Sequence, residues 1–325
     1  MTAAAELRVA GLAAGYGDNG PARPRSRRDV TDPVQQLVLA GVDAEVPAGE
    51  CLAVVGRSGC GKSTLLHVLA GLLAPAAGTV EAGGGVVAGA DWQGTGAPGC
   101  CAGHAAYMFQ RDLLLPWKSA LQNAVFPAQL AARRERRRGR AGVGDRACRG
   151  DHLTVRGRAL LEEFGMGDAL DAVPAELSGG MRQRVALART VLLDRGLVLL
   201  DEPFGSLDAV TRAEMRHWML EVMTTHPATW VLVTHDVDEA VLLGDHVAVL
   251  HGRPARLEGR RRADLDRATR TRLAAAAAGD VDAASRALER AEVVRVEAAA
   301  RTLAAAAAAV RRQLRPADDA RTSLD

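Results

Sequence analysis

The sequence GRSGCGKST occupies residues 56–64, between an apolar run at 52–55 and a segment, 63–73, whose apolar residues recur at helical spacing. It matches the pattern GxxxxGK[ST], and the order strand, glycine-rich loop, helix is the context that this pattern requires. Without bulky side chains, successive backbone N–H groups of such a loop can surround a phosphate group at the positive end of the following helix. The stretch therefore predicts a nucleotide phosphate site.

Nine consecutive residues form this predicted phosphate loop. They are Gly56, Arg57, Ser58, Gly59, Cys60, Gly61, Lys62, Ser63 and Thr64. Lys62 would neutralise phosphate charge, and the Ser63 hydroxyl would offer an oxygen to Mg²⁺. Only Lys62 and Lys118 are lysines among the 41 basic residues, so a lysine persists here against a strong preference for arginine. A glycine turn with an incidental lysine is the alternative, and the flanking strand and helix disfavour it.

A second apolar run, residues 197–200, ends in Asp201 and Glu202. If its strand neighbours the strand before the phosphate loop, Asp201 can hold hydrated Mg²⁺, and Glu202 can orient the water that attacks the γ-phosphate and accept its proton. By itself, an apolar run followed by two acids is a common strand end. Downstream of a phosphate loop, it becomes a specific signal of triphosphate hydrolysis.

Two consecutive glycines, Gly179 and Gly180, come directly before the helix predicted from residue 181. Ser178 is a good N-cap residue, but Gly179 and Gly180 each lower helix stability by about 1 kcal/mol in a first turn. Their small size permits the close approach of an anion. In a chain with one nucleotide site, a second helix start of this kind is predicted to serve the nucleotide of another chain; a flexible hinge is the alternative.

Helices alternate with short, fully apolar strands in the second half of the chain. We predict helices over 181–193 and about 207–223, and strands over 197–200, 229–233 and 246–250, with a short helix between the last two. Such alternation is typical of a parallel sheet covered on both faces, and hence of an α/β fold. Residues 6–55 predict short strands around a surface loop at 17–33, and residues 78–103 predict edge strands and loose turns.

The composition is that of a globular chain. Hydrophobic residues make up 48% and charged residues 25% of the 325 residues, which excludes wholesale disorder. The formal net charge of +2 gives no global field that would demand nucleic acid or an anionic membrane as a partner. The five cysteines include no CxxC pair and predict reduced thiols. We expect neither a signal peptide nor a membrane span.

Six features follow one another along the chain. They are Tyr16, residues 56–64, Gln110 within YMFQRDLLLPW, the run LSGGMRQRVALAR from Leu177, the run LVLLDEPFGSLD from Leu197, and His235 within VTHD. In this order they resemble the ATP-binding subunits of ABC transporters, over about residues 7–254. The resemblance implies an ATPase core with a mainly parallel sheet, an antiparallel β subdomain and a helical subdomain at about 111–176, all within a domain spanning 1–262.

The resemblance also implies roles within one subunit, with ATP as the substrate and Mg²⁺ as the cofactor. Tyr16 would stack on adenine, Gln110 would sense Mg²⁺ and the attacking water, Glu202 would be the catalytic carboxylate, and His235 would contact the γ-phosphate. Plain alternatives remain: Tyr16 as a surface tyrosine, His235 as a capping residue after a strand, and Gln110 as a loop amide.

Further roles implied by the resemblance concern a second ATPase subunit. Two such subunits would sandwich two ATP molecules, and the phosphate loop of each would face Ser178, Gly179 and Gly180 of the other. Asp208 would lie at the seam between them. The resemblance thus implies a dimer that closes on ATP, most simply a homodimer.

An apolar cluster, residues 113–117, follows Gln110 directly. Pro116 and the preceding Arg111 and Asp112 indicate a loop, and an exposed apolar loop predicts a docking surface. In the family, this region meets a membrane permease, which implies a peripheral subunit at the cytoplasmic face of the cell membrane and, indirectly, an external solute-binding protein. The motifs are most similar to the importers of nitrate, sulfonates, taurine or thiamine precursors.

Two other classes compete with the importer. A soluble ABC ATPase of DNA repair or complex assembly usually carries long coiled-coil, zinc or tandem-ATPase insertions, which this chain lacks, and we expect no nucleic acid partner. A small P-loop kinase or GTPase leaves residues 177–181 unexplained, and the chain has no NKxD-type guanine reader.

Four segments depart from the family pattern, namely residues 17–33, 82–103, 133–150 and 263–325. Residues 133–150 are rich in arginine and glycine and predict a solvated insertion, with contact to anionic lipid or nucleic acid as the alternative. Residues 263–325 are rich in alanine and arginine and predict a helical C-terminal extension with a thin apolar seam. That helix would fold back on its own domain or be a partly ordered appendage, with a coiled-coil contact as the alternative.

Overall fold

A computed structural model describes residues 2–17, 20–21, 36–89, 104–137 and 148–262. In chain order the strands are β1 (Leu7–Gly17), β2 (Gly20–Pro21), β3 (Gln36–Val46), β4 (Cys51–Val55), β5 (Ala77–Ala82), β6 (Gly85–Gly89), β7 (Ala105–Met108), β8 (Leu197–Asp201), β9 (Thr229–Thr234), β10 (His246–Gly252) and β11 (Ala255–Arg262). The α-helices are α1 (Lys62–Leu69), α2 (Ala120–Arg137), α3 (Cys148–Glu163), α4 (Gly179–Val191), α5 (Ala209–Thr225) and α6 (Val237–Leu243). Two 3-10 helices, Gly167–Ala169 and Pro174–Glu176, lie between α3 and α4.

The strands of the described ranges form one sheet, in the order β6-β5-β1-β3-β11-β10-β4-β9-β8-β7, with β2 paired to β1. From β10 to β7 all neighbours are parallel. Every residue of β4, β8 and β9 is buried, as expected for apolar strands that helices cover on both faces. The predicted α/β fold with a mainly parallel core is therefore confirmed.

The other half of the sheet is mostly antiparallel. Strand β1 pairs in antiparallel fashion with β3 and β5, and β5 pairs likewise with β6, which forms the edge. Strand β11 connects the halves, since it is antiparallel to β10 and parallel to β3. The edge strands expected within 78–103 are present, whereas β2 places two residues of the predicted 17–33 loop in a strand. Residues 90–103 and 22–35 lie outside the described ranges.

Two apolar cores lie on opposite faces of the sheet. Along β4, Cys51, Ala53 and Val55 belong to one core, and Leu52 and Val54 belong to the other. Because alternate side chains of a strand point to opposite faces, each face is covered by its own layer. The first core includes residues of α4, α5 and α6, and the second includes residues of α1 and of the antiparallel strands.

The structure corrects several predicted boundaries. Helix α1 ends at Leu69 instead of residue 73, because Gly71 adopts a positive φ of 67° that a helix cannot continue through. Helices α4 and α5 run about two residues off their predicted ranges. The sequence analysis missed β7 and β11, and β7 has only four residues, too few for a clear periodicity.

Two helices reach into the arginine-rich segment 133–150. Helix α2 ends at Arg137 and α3 begins at Cys148, so both ends of the segment are helical. Its predicted character as a solvated insertion stays a prediction. Residues 138–147 and the predicted helical extension, 263–325, lie outside the described ranges. No helix within those ranges combines the length and the apolar content that a membrane crossing requires.

Candidate nucleotide site

The phosphate loop joins β4 to α1, and its glycines are required by space and by backbone conformation. A Cβ atom on Gly56 would lie 2.6 Å from Cys60 Sγ and 2.7 Å from the Leu250 carbonyl oxygen. Gly61 has a φ of 108°, and a Cβ atom there would lie 2.8 Å from Val38 Cγ1. The loop is therefore held in a shape that larger residues at these two positions could not adopt.

Lys62 turns back into the loop that precedes it. Its side chain is 5% exposed, and Nζ donates to the carbonyl oxygens of Gly56, at 2.9 Å, and Arg57, at 3.2 Å. Nζ also lies 3.4 Å from Glu202 Oε1. A buried ammonium group needs such partners. A phosphate group in the loop would compete with Glu202 for this cation.

Asp201 lies at the end of β8, buried and joined to two hydroxyl groups. Ser63 Oγ donates to its Oδ1 at 3.3 Å, and Tyr107 OH donates to its Oδ2 at 2.9 Å. Strand β9 separates β4 from β8, so the condition that these two strands are neighbours is not met. Asp201 nonetheless reaches Ser63. The parallel strands β4 and β8 end on the same side of the sheet, and the phosphate loop leads into α1 on that side.

The sequence analysis did not single out Tyr107 as a site residue. It lies on β7, opposite Leu199 of β8, and this register directs its hydroxyl to Asp201. Burial and the Asp201 charge raise the pKa of Tyr107 well above its ordinary value, so the hydroxyl stays protonated as a donor. Tyr16 and Tyr107 are the only two tyrosines in the chain, and that scarcity was the one available signal.

Three other site residues contact the carboxylate of Glu202. Gln110 Nε2 donates to its Oε2 at 3.3 Å, His235 Nδ1 lies 3.2 Å from the same oxygen, and Lys62 contacts its Oε1. The backbone of Glu202 has a φ of 46°, a left-handed conformation that is uncommon outside glycine. Such a conformation raises the free energy of the folded state by roughly 1–3 kcal/mol and is concentrated at functional sites.

The donor set around Ser63 fits a hard divalent cation. The Ser63 hydroxyl and the Asp201 carboxylate are oxygen donors, which Mg²⁺ prefers. Within the part of the chain that the structure describes, no three His, Cys, Asp or Glu side chains are grouped as a metal site. A cation at this place would therefore complete its coordination with phosphate oxygens and water, as Mg²⁺ does in nucleotide sites.

Tyr16 lies at the end of β1, beside the phosphate loop. Its hydroxyl is 3.5 Å from Thr64 Oγ1, and its side chain is exposed. Its position is compatible with a nucleotide base stacking on the exposed ring, and also with a surface tyrosine. Its predicted role stays a prediction.

The predicted contacts to a second nucleotide form a separate cluster. Ser178 caps α4, where its Oγ accepts from the Met181 backbone N–H at 3.2 Å. Asp208 caps α5 and accepts from the backbone N–H groups of Val210 and Thr211, at 3.1 Å each. The Thr211 hydroxyl also donates to Asp208, and these bonds lower the pKa of the carboxyl group, which keeps it ionised.

Gly179 and Gly180 belong to the same cluster and need their small size. A Cβ atom on Gly180 would lie 2.9 Å from Thr211 Cγ2, and one on Gly179 would lie 3.4 Å from Leu207 Cδ2. The start of α4 therefore packs closely on the start of α5. In the described ranges, no hydrogen bond or ion pair connects Ser178, Gly179, Gly180 and Asp208 to the phosphate loop of the same chain. Their role at another chain's nucleotide stays a prediction.

The apolar segment 113–117 is a loop, as predicted, and Leu113, Pro116 and Trp117 are exposed. The Trp117 side chain is 74% exposed, and Leu113 is exposed at a φ of 47°. Arg189 of α4 donates to the carbonyl oxygens of Asp112, at 2.6 Å, and Leu113, at 3.0 Å, and Arg182 of α4 pairs with the Asp112 carboxylate at 3.1 Å. Helix α4 thus fixes the loop that begins at Gln110.

Known proteins were compared with the chain in sequence and in fold. Residues 39–205 match the family described as "ABC transporter". The aliphatic sulfonates import ATP-binding protein SsuB 2 of Xanthomonas axonopodis pv. citri (strain 306) is 39% identical over 248 residues, which cover 76% of this chain and 68% of that protein. The bicarbonate transport ATP-binding protein CmpD of Synechocystis sp. (strain ATCC 27184 / PCC 6803 / Kazusa) is 36% identical over 217 residues, or 67% of this chain and 68% of that protein.

The fold also matches that of a solved ATP-binding cassette, determined as a dimer in a post-hydrolysis state bound to ADP and Pi. The TM-score is 0.61 at 21% sequence identity, and the match covers 80% of this chain and 100% of that chain. At this identity the likeness concerns the fold alone.

Proposed function

Because this chain belongs to the ABC transporter family, we propose that it is the ATP-hydrolysing subunit of an importer for a small anionic nutrient. One observation carries the catalytic part: Lys62, Gln110 and His235 all reach the carboxylate of Glu202. A phosphate loop, a buried cation and an acid with two polar neighbours are the groups that triphosphate hydrolysis needs.

The proposed mechanism uses these side chains directly. The loop amides and Lys62 bind the phosphates, and Glu202 accepts a proton from the water that attacks the γ-phosphorus. The bond from the water oxygen to phosphorus forms, the bond to the bridging oxygen breaks, and ADP and phosphate leave. Gln110 orients the water through its contact with Glu202, and His235 donates a hydrogen bond to a γ-phosphate oxygen.

We propose that Ser63 and Asp201 hold Mg²⁺ together with the phosphate oxygens, with Gln110 near this cation. When bound, Mg²⁺ would offset the charge that develops on the phosphates. The Tyr107 hydroxyl donates to the Asp201 oxygen that Ser63 does not contact, and so orients the carboxylate.

We expect Tyr107→Phe to raise the Mg²⁺ concentration that half-maximal ATP hydrolysis requires by about tenfold, because partners behind a metal ligand typically change affinity by about 10–100-fold. Binding of ADP in EDTA should be unchanged, whereas the gain in ADP affinity on adding Mg²⁺ should shrink. Equilibrium titration with a fluorescent ADP analogue measures both. Thr224→Val, which removes a hydroxyl bonded to the Leu220 carbonyl on α5, is the control. An unchanged Mg²⁺ dependence in Tyr107→Phe would contradict the role.

We further propose that the active form is a homodimer at the cytoplasmic face of the membrane, bound to permease subunits. Ser178, Gly179, Gly180 and Asp208 would contact the nucleotide on the partner's phosphate loop. The closely packed starts of α4 and α5, capped by Ser178 and Asp208, support one shared contact surface. Exposed Val210, next to Asp208, adds apolar surface there.

Leu113 and Trp117 are proposed to dock on the permease. We expect the double substitution Leu113→Ser and Trp117→Ser to abolish co-purification with the permease and to leave ATP hydrolysis by the isolated subunit within about twofold, since exposed apolar side chains contribute little to folding. Val155→Ser removes an equally exposed apolar side chain from α3 and should leave the complex intact. Co-purification of the double variant at the wild-type yield would exclude this docking surface.

The substrate class follows from the relatives. An aliphatic sulfonate is the first candidate, because the sulfonate import protein matches 76% of this chain, and bicarbonate or nitrate is the second. The test is ATP hydrolysis by the complex of subunit, permease and binding protein in liposomes, with an alkanesulfonate, taurine, nitrate or bicarbonate. Stimulation by the sulfonates alone is expected. Stimulation by bicarbonate or nitrate alone would favour the second candidate. Stimulation by none of the four compounds would contradict the proposal that the chain serves an importer of small anions.

A further inference from the structure

A single arginine connects α5 with the start of α6. Arg216 Nη2 lies 2.6 Å from Asp236 Oδ2 and 3.0 Å from Glu239 Oε1. Glu239 is only 4% exposed, so its charge needs a compensating group. Arg216 is thus the cation shared by two acids that flank the start of α6.

The same acids fix the backbone on both sides of His235. Glu239 Oε2 accepts from the Thr234 hydroxyl at 2.6 Å, and Thr234 Oγ1 accepts from the Asp236 backbone N–H at 3.0 Å. Asp236 Oδ1 accepts from the backbone N–H groups of Asp238 and Glu239 and so caps α6. The two neighbours of His235 in the chain therefore belong to one hydrogen-bonded network with Arg216.

His235 itself has little to hold it. Its side chain is 55% exposed, and its ring contacts Glu202 Oε2 through Nδ1. An imidazole this exposed is held less by side-chain packing than a buried one, so its distance from Glu202 depends strongly on the backbone that carries it. That backbone is the segment from Thr234 to Asp236.

We propose that Arg216 is a positioning residue that sets the place of His235 relative to Glu202 and ties it to α5. The proposal deepens the proposed function and rests on it for the role of His235. Asp208, in the cluster proposed to contact the partner's nucleotide, is the N-cap of α5, and Arg216 lies about two helical turns further along. A shift of α5 at that contact is thus passed through Arg216 to the residues on both sides of His235.

A double-mutant cycle with His235→Ala tests this role in ATP hydrolysis. We expect Arg216→Gln to lower kcat by about tenfold or more and to change the KM for ATP by less than about twofold, because the phosphate loop is untouched. In the His235→Ala background the same substitution should lower kcat by less than about twofold. Equal fold losses of kcat in both backgrounds would overturn the proposal, because Arg216 would then act independently of His235.

A variant that changes no charge distinguishes the positioning of His235 from a general loss of stability. Thr234→Val keeps the Arg216 ion pairs and removes the hydroxyl that links Glu239 to the Asp236 backbone, and it should give the same non-additive pattern with His235→Ala. Arg156→Gln is the matched control, since it breaks an arginine–carboxylate pair between α3 and Asp194, away from the site. We expect wild-type kcat for Arg156→Gln; a loss as large as that of Arg216→Gln would overturn the assignment.

A spectroscopic readout tests the placement of His235 even if the protein hydrolyses no ATP. In histidine-labelled protein, the imidazole resonances missing from His235→Ala belong to His235. We expect these resonances to shift in Arg216→Gln and Thr234→Val and to stay in place in Arg156→Gln. Unmoved His235 resonances in folded Arg216→Gln would refute the proposal, whereas shifted resonances without ATPase activity in the wild type would refute only the proposed function.

Discussion

Glu202→Gln is expected to reduce ATP turnover by about 10²–10⁴-fold while ATP still binds, because an amide cannot accept the proton of the attacking water. Glutamine has nearly the same shape and can still hydrogen-bond with Gln110 and His235. It also removes the negative charge that pairs with Lys62 at 3.4 Å, which leaves the ammonium group available to phosphate. ATP affinity should therefore be at least that of the wild type, and the ATP-bound dimer should persist.

Phosphate release under single-turnover conditions measures the loss, and equilibrium binding with size-exclusion chromatography in ATP measures the rest. Glu221→Gln is the matched control, because Glu221 is an exposed acid on α5 that contacts His217. Its turnover should equal that of the wild type. A wild-type rate of phosphate release from Glu202→Gln would remove Glu202 from the mechanism.

Lys62→Ala should weaken ATP binding by about tenfold to a hundredfold, since hydrogen bonds to charged groups are typically worth about 1.5–3 kcal/mol. The ammonium group is buried and aimed at the loop carbonyl groups, so water cannot easily replace it. Isothermal calorimetry with ATP and Mg²⁺ measures the affinity, and a thermal melt without nucleotide shows whether the loop remains folded.

Lys118→Ala is the natural control for this experiment, because it removes the only other lysine of the chain. Lys118 Nζ lies 5.0 Å from the centre of the Phe126 ring and outside the nucleotide site. Its loss should leave ATP affinity unchanged. Normal ATP affinity together with normal turnover in Lys62→Ala would contradict the assignment of residues 56–64 as the phosphate loop.

Local sequence patterns predicted the parts of the site that depend on neighbouring residues. The phosphate loop, the acids after β8 and the capped start of α4 are each encoded in a short run, where spacing determines geometry. Periodicity predicted the alternating strands and helices for the same reason. The end of α1 was missed because one glycine with a positive φ outweighed an apolar pattern that continued to residue 73.

Contacts between segments that are distant in the chain could not be predicted from local sequence patterns. Tyr107 meets Asp201 only because β7 pairs with β8 in one particular register, and Arg216 meets Glu239 only because α5 packs beside α6. Tyr107 is the first residue of the quoted run YMFQRDLLLPW, but the run assigns it no role, and Arg216 lies in none of the quoted motifs. The insertion of β9 between β4 and β8 was missed for the same reason, since strand order depends on how the whole chain packs.

The left-handed backbone at Glu202 lowers the stability of the folded protein at a position where the proposed function requires glutamate. At a φ of 46°, glycine would fit this position with less distortion than glutamate does. A laboratory screen that selects for thermal stability alone would therefore favour replacing the acid on which hydrolysis is proposed to depend. Efforts to raise the thermal stability of this protein should therefore keep Glu202 and introduce stabilising substitutions at other positions.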